Sequence, residues 1–136
     1  MSQLQKVFDG EHLISIIIPG DLETHGVKFI TPQDFPFQVG LHAHPTKTEI
    51  KAHSHKKLKI EIDVFQEVII VQKGSVEVDL YGIDNKPLTS VVLNAGDSIL
   101  FADGGHGLRM LDDARILEVK QGPYPGDANA KIIIEN

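Results

Sequence analysis

An all-β fold is what this sequence predicts, on three observations. Apolar residues come in short clusters rich in Val, Ile and Phe. They do not recur at helical spacing over any long window. Gly, Pro, Asp and Asn bound the clusters, so turn signals return roughly every eight to twelve residues. With 136 residues, 41% of them hydrophobic, the chain has room for one core and no second domain. A β-sandwich or barrel of roughly ten short strands follows.

Met1 to Asp21 reads as an added edge strand with the dense apolar run Leu13 to Ile18 as its core. Bare at an edge it invites aggregation unless another strand or a second subunit covers it, which argues for a homodimer. Val27 to Ile30, Phe37 to His42 and Glu49 to Ala52 are the next strand candidates. In Leu58 to Phe65, Leu58, Ile60, Ile62 and Val64 alternate with Lys57, Lys59, Glu61 and Asp63. That is the period-two signature of a strand with one dry and one wet face, the most regular in the chain. Glu67 to Gln72, Val76 to Leu80, Leu88 to Leu93, Ser98 to Phe101, Gly107 to Leu111 and Arg115 to Lys120 complete the set. Lys73-Gly74, Asp84-Asn85, Asn94-Ala95-Gly96-Asp97 and Asp103-Gly104-Gly105 supply turn chemistry at the joints. The first ten or so residues and 122–130 read as loose.

Composition narrows the function. Lys and Arg total 13 against 19 for Asp and Glu, a net charge of −6 that disfavours nucleic acid and anionic membrane surfaces. Cysteine is absent, so thiol catalysis, disulfides and sulfur-based metal sites are excluded. Any metal must rest on His, Asp and Glu. The apolar run at 13–18 is too short to span a bilayer and lacks a basic leader and cleavage site, so the expected location is cytoplasmic. No Gly-x-Ser-x-Gly elbow is present, and the glycines around His106 precede no helix start that would suit a phosphate.

The chemistry concentrates in histidines. His42 and His44 form one His-x-His, His53 and His55 another, and His106 stands in a glycine-rich turn. Residues two apart on a strand share a face, so each pair can offer two imidazoles to one ion. Solvated surface histidines are the plain alternative for either pair. Glu67 shares its face with Ile69 and Val71, an interior setting that is costly for a carboxylate unless a cation or donors meet it. The plain alternative there is an exposed strand end paired with a lysine.

Six residues separate Glu67 from Gly74, and His106 lies ten residues after Gly96. With His53-x-His55 ahead of them, these residues resemble the two motifs of the cupin family. The resemblance covers roughly 35–120 and implies a cupin-type β-barrel, a double-stranded β-helix or jelly roll. It divides the chain into N-terminal edge strands at 1–34, a barrel core at 35–120 and an extension at 121–136. It also implies one divalent transition metal, Fe, Mn, Ni or Zn, held by His53, His55, Glu67 and His106. The chain departs from the family pattern at several positions. Residues 56–66, 11 in number, separate His55 from Glu67 where the family has three or four. Lys47 stands for the leading glycine, Ala102 for a proline and Met110 for an asparagine. His42-x-His44 followed by Glu49 offers a better-spaced first half, but Lys56 then occupies the glycine position. One strand running from Lys51 to Asp63 would put His53 and His55 on the charged face, so a bulge or turn at Lys56-Lys57 is expected.

The whole stretch from His53 to Tyr124 is similar to small cupins associated with surface-polysaccharide biosynthesis, which implies a sugar context. A metal with open positions would suit isomerase or epimerase chemistry on a small sugar, or, if redox-active, dioxygenation of a small molecule. A non-catalytic ligand-binding cupin is the alternative. Glu67, Tyr81, Arg109 and Glu118 are the candidate catalytic side chains, and a small-molecule ligand is the expected partner.

Overall fold

The computed structural model describes residues 2–135. The chain divides into two compact units, one formed by the segment up to Leu22 together with Phe65 onward, the other by Glu23–Val64.

The first unit contains β1 (Gln5–Asp9), β2 (His12–Ile18), β5 (Glu67–Lys73), β6 (Ser75–Tyr81), β7 (Pro87–Asn94), β8 (Ser98–Phe101), β9 (Gly105–Met110) and β10 (Arg115–Lys120). A single helical turn, α1, spans Asp127–Ala130. Five strands form one antiparallel sheet in the order β1-β2-β8-β5-β10, and three form another in the order β7-β6-β9. Ile17, Ile69, Val71, Ile99 and Phe101 from the first sheet and Val76, Val78, Leu80 and Leu93 from the second share one core. The alternation of apolar positions along β5 and β6 therefore faces inward, as period-two burial requires, whereas on β8 Ile99, Leu100 and Phe101 are all buried. The second unit holds the two-stranded antiparallel sheet of β3 (Gly26–Phe29) and β4 (Gly40–Ala43). All-β is thus observed, as three open antiparallel sheets among the described residues.

Hairpin chemistry sets the sharp reversals. Gly74 joins β5 to β6 with φ +76°, and a Cβ there would lie 2.4 Å from the Asp113 carbonyl oxygen, so only glycine fits. Asp97 closes the β7–β8 turn by accepting hydrogen bonds from the Asn94 and Gly20 amides at 2.8 Å each.

Three expectations are corrected. The N-terminal segment lies at a sheet edge as two strands rather than one: β1 is the outer strand, and β2, between β1 and β8, has Ile14, Ser15 and Ile16 fully buried. Its own chain supplies the cover, and the case for a dimer through this run falls. Gln5–Asp9, read as loose, is a strand; only Val7 along it is buried, and an edge strand with one buried residue leaves almost no periodic trace. Glu49 to Ala52 and Leu58 to Phe65 form no strand, and the expected break at Lys56-Lys57 has no ladder to interrupt. Alternation marks which side chains share a face, whereas a ladder also needs a second strand, and none lies against this segment among the described residues.

Among the described residues no helix is long and apolar enough to cross a membrane.

Candidate functional site

Two strand registers bring the central pair together. In the larger sheet Glu67 stands opposite Phe101 of β8 on one side and Lys120 of β10 on the other. In the smaller sheet His106 stands opposite Leu80, on the face that Val76, Val78 and Leu80 turn to the core. Directly opposed residues share a face, so both side chains point between the sheets. There His106 stacks on Phe101, ring centroids 3.7 Å apart and planes 7° from parallel. Its Nε2 lies 2.7 Å from Glu67 Oε1. The stacking holds the imidazole in place, and the hydrogen bond fixes its donor nitrogen.

Glu67 is 9% exposed. Burial alone would raise its carboxyl, but the hydrogen bond and charge of His106, a hydrogen bond with Glu118 and the charge of Lys120 together outweigh it and hold the group below the ordinary carboxylate range. The expected cost of a carboxylate among Ile69 and Val71 is thus met by an imidazole rather than left open.

Around the pair lies a cavity of about 660 Å³, and Tyr81, Arg109 and Glu118 all line it with Glu67 and His106. Each has a defined surrounding. Arg109 is clamped by carboxylates: its Nη1 donates to Asp79 Oδ2 at 2.6 Å and its Nη2 donates to Glu77. The Glu77 hydrogen bond and the charges of Asp79 and Glu77 raise its pKa further. Lys120 lies 3.5 Å from Glu118 and 4.4 Å above the Tyr124 ring, a cation–π contact. Tyr81 is 7% exposed at the end of β6. Behind the site, the side-chain Nε2 of buried Gln66 donates to the Ala102 carbonyl at 3.2 Å, and its backbone N–H donates to Gln121 Oε1 at 2.9 Å. That ties the start of β5 to β8 and to the chain leaving β10.

The other named histidines lie in the second unit. His53 and His55 are exposed and face each other edge to face, centroids 5.2 Å apart, with His53 Nδ1 2.7 Å from the Lys51 carbonyl oxygen. His42, on β4, has Nδ1 3.2 Å from His44 Nε2. Of the four ligands the resemblance implies, the structure joins Glu67 and His106. Among the described residues no group of three or more His, Asp and Glu side chains is assembled as a metal-ligand set.

Sequence reasoning missed Asp79 and the Ile132 to Ile134 stretch, which also line the cavity. Asp79 reads as one of many wet strand residues until the β6–β9 register sets it beside Arg109. Three consecutive isoleucines after a loose segment were the available signal for the second.

Comparison with protein-family models, with curated proteins and with solved structures gave no match. Fold and site therefore define a class only as far as geometry reaches: an antiparallel two-sheet unit with a carboxylate–imidazole pair in a cavity of mixed charge.

The depressed Glu67 carboxyl has a testable consequence. A carboxylate with a lowered folded pKa adds stability above its unfolded value, near 4.5, and loses it as pH falls through the folded value. Glu67→Gln keeps the shape and removes the charge. Urea unfolding at a series of pH values is expected to show wild type more stable than the variant near neutrality, with the gap closing as pH falls below about 4.5. A gap that stays constant into acid would show that the charge of Glu67 contributes nothing.

Proposed function

We propose that this chain is a small cupin-type protein whose cavity beside Glu67 and His106 binds a small polyhydroxylated molecule, a sugar or sugar derivative, and exchanges a proton with it. The observation that carries the reading is the 2.7 Å contact between Glu67 and His106 in a cavity that Tyr81, Arg109 and Glu118 also line. A sugar hydroxyl both donates and accepts, so a wall that mixes carboxylates with ammonium and guanidinium groups can satisfy several at once. Phe65, Tyr81 and Tyr124 add apolar surface for a sugar ring face.

The chemistry follows from the pair. Ionised Glu67 accepts from His106 Nε2, which fixes the tautomer and stabilises a positive charge on the ring when Nδ1 takes a proton. A proton on the carbon next to a carbonyl can leave to His106, giving an enediolate, and be returned to the former carbonyl carbon while the hydroxyl proton passes between the two oxygens, the net change of an isomerase; return to the opposite face of the same carbon is the net change of an epimerase. Lys120, opposite Glu67 on β10, would offset negative charge that develops on oxygen.

A divalent metal is the second reading, favoured by the same pairing of one carboxylate oxygen with one imidazole nitrogen. Glu67 and His106 suit a hard-to-borderline ion, and His53 and His55 are the further ligands the resemblance implies. Bound there, such an ion would supply Lewis-acid polarisation of a carbonyl, or redox chemistry for dioxygenation if it were iron.

The test is proton NMR in heavy water with a panel of aldose and ketose phosphates and nucleotide sugars, alongside calorimetric binding and elemental analysis of the purified chain. Expected is binding of at least one sugar with loss of its carbon-bound proton signal. His106→Ala is expected to slow that exchange by about a hundredfold or more. Binding without exchange would make the chain a sugar-binding protein and remove the enzyme reading. Failure of every sugar to bind would overturn the proposal. About one transition metal per chain, lost from both His53→Ala and His106→Ala but kept in His42→Ala, would support the metal reading; loss in His42→Ala alone would move the site to the other histidine pair.

A further inference from the structure

We propose that residues 57–63 of the second unit form a two-fold symmetric antiparallel strand pair with the same residues of a second copy of this chain, centred on Ile60. From Thr48 to Asp63 the backbone runs without helix, turn or bend and joins no ladder, and every side chain along it is exposed. Leu58 is 76% exposed, Ile60 68% and Ile62 47%, at alternate positions that would share one face once the segment joins a ladder. A backbone so placed presents a row of donors and acceptors to another strand.

The order of charges identifies the partner. Laid antiparallel on its own copy with Ile60 opposite Ile60, the segment sets Lys59 against Glu61, Leu58 against Ile62 and Lys57 against Asp63. Every charged position meets its opposite and every apolar position meets an apolar one, on the correct faces. Shifting the register by two residues in either direction breaks this match. With Leu58 opposite Ile60, for instance, Lys57 faces Glu61 but Lys59 faces Lys59. Cross-strand pairs of opposite charge stabilise a sheet and like charges destabilise it, so the sequence specifies both the partner and the register. An isologous contact of this kind closes at two copies. The inference stands apart from the sugar-site reading, because it uses no residue that lines the cavity.

The chain has no cysteine, so a single introduced one reports cleanly. Sedimentation velocity of the full chain is expected to show a dimer. Lys59→Glu and Glu61→Lys are each expected to weaken it about tenfold or more, since each creates two like-charge pairs, and the double variant is expected to restore it. Ile60→Cys is expected to form a disulfide-linked dimer under mild oxidation. Leu58→Cys alone is not, because the two copies of residue 58 would stand about 14 Å apart. Mixed with Ile62→Cys it is expected to cross-link. A chain that stays monomeric at about 100 µM, well above the range of specific complexes, would overturn the proposal. So would a dimer indifferent to both single charge reversals, or one that cross-links through residue 58 alone; either would place another surface or another register at the contact.

Discussion

Ile99→Ala is expected to lower unfolding stability by roughly 2–5 kcal/mol, the range for deleting three buried carbons where the surroundings cannot close. Ile99 is fully buried in β8, with Ile17 of β2 directly opposite on one side and Ile69 of β5 on the other. All three belong to the core that both sheets of the first unit share. The neighbouring strands are fixed by their ladders, so the space left by the side chain stays largely open. Urea unfolding measures the effect. Ile132→Ala is the control: at 84% exposure it removes no core contact and is expected to change stability by less than about 0.5 kcal/mol. Equal effects in the two variants would mean that the core does not lie between these sheets.

Gly104→Ala is expected to cost roughly 3 kcal/mol and to disable the site as well. Gly104 sits at φ +69°, and a Cβ there would come 2.3 Å from the Tyr81 carbonyl oxygen. The left-handed backbone disfavours any L side chain, and the clash is with main chain that cannot swing aside. Relief requires moving the β8–β9 connection, and His106 follows two residues later. Stability and the His106–Glu67 contact are therefore expected to fail together. Gly105→Ala is the comparison. Its φ lies outside the positive range, and its nearest clash, 2.5 Å from Ile134 Cδ1, is with the end of a flexible side chain. It is expected to cost less than about 1 kcal/mol. Ligand titration and thermal unfolding of the two variants read both effects.

Much of this site was legible because its markers are local. The spacing from Glu67 to Gly74 marks a hairpin whose strand begins with the carboxylate, and the glycines before His106 mark a turn that returns an imidazole to the sheet. Arg109 and Glu118 could be named as candidates from strand position, but not their surroundings. That Arg109 is held by Asp79 and Glu77 depends on the β6–β9 register, a pairing of residues far apart in the chain. Phe101 shows the same limit. It reads as an ordinary core residue, yet it is the surface on which His106 stacks.

Leu58 to Ile62 shows where a pattern and a structure part. Alternation is a property of the chain alone, and it yields an apolar side only where the segment is drawn into a ladder. Which strand lies against it depends on a partner, and within the described residues there is none.

By itself, then, the sequence determined the all-β class and the places of most strands and turns, and it marked Glu67 and His106 as candidates, because periodicity, turn residues and side-chain chemistry are local properties. Only the tertiary structure decided that β2 is covered by β1 and β8, that His42 meets His44 and His53 meets His55, and that Glu67 and a His106 stacked on Phe101 stand together at the cavity. Those outcomes follow from strand register, which is set by long-range pairing between segments that no local pattern connects.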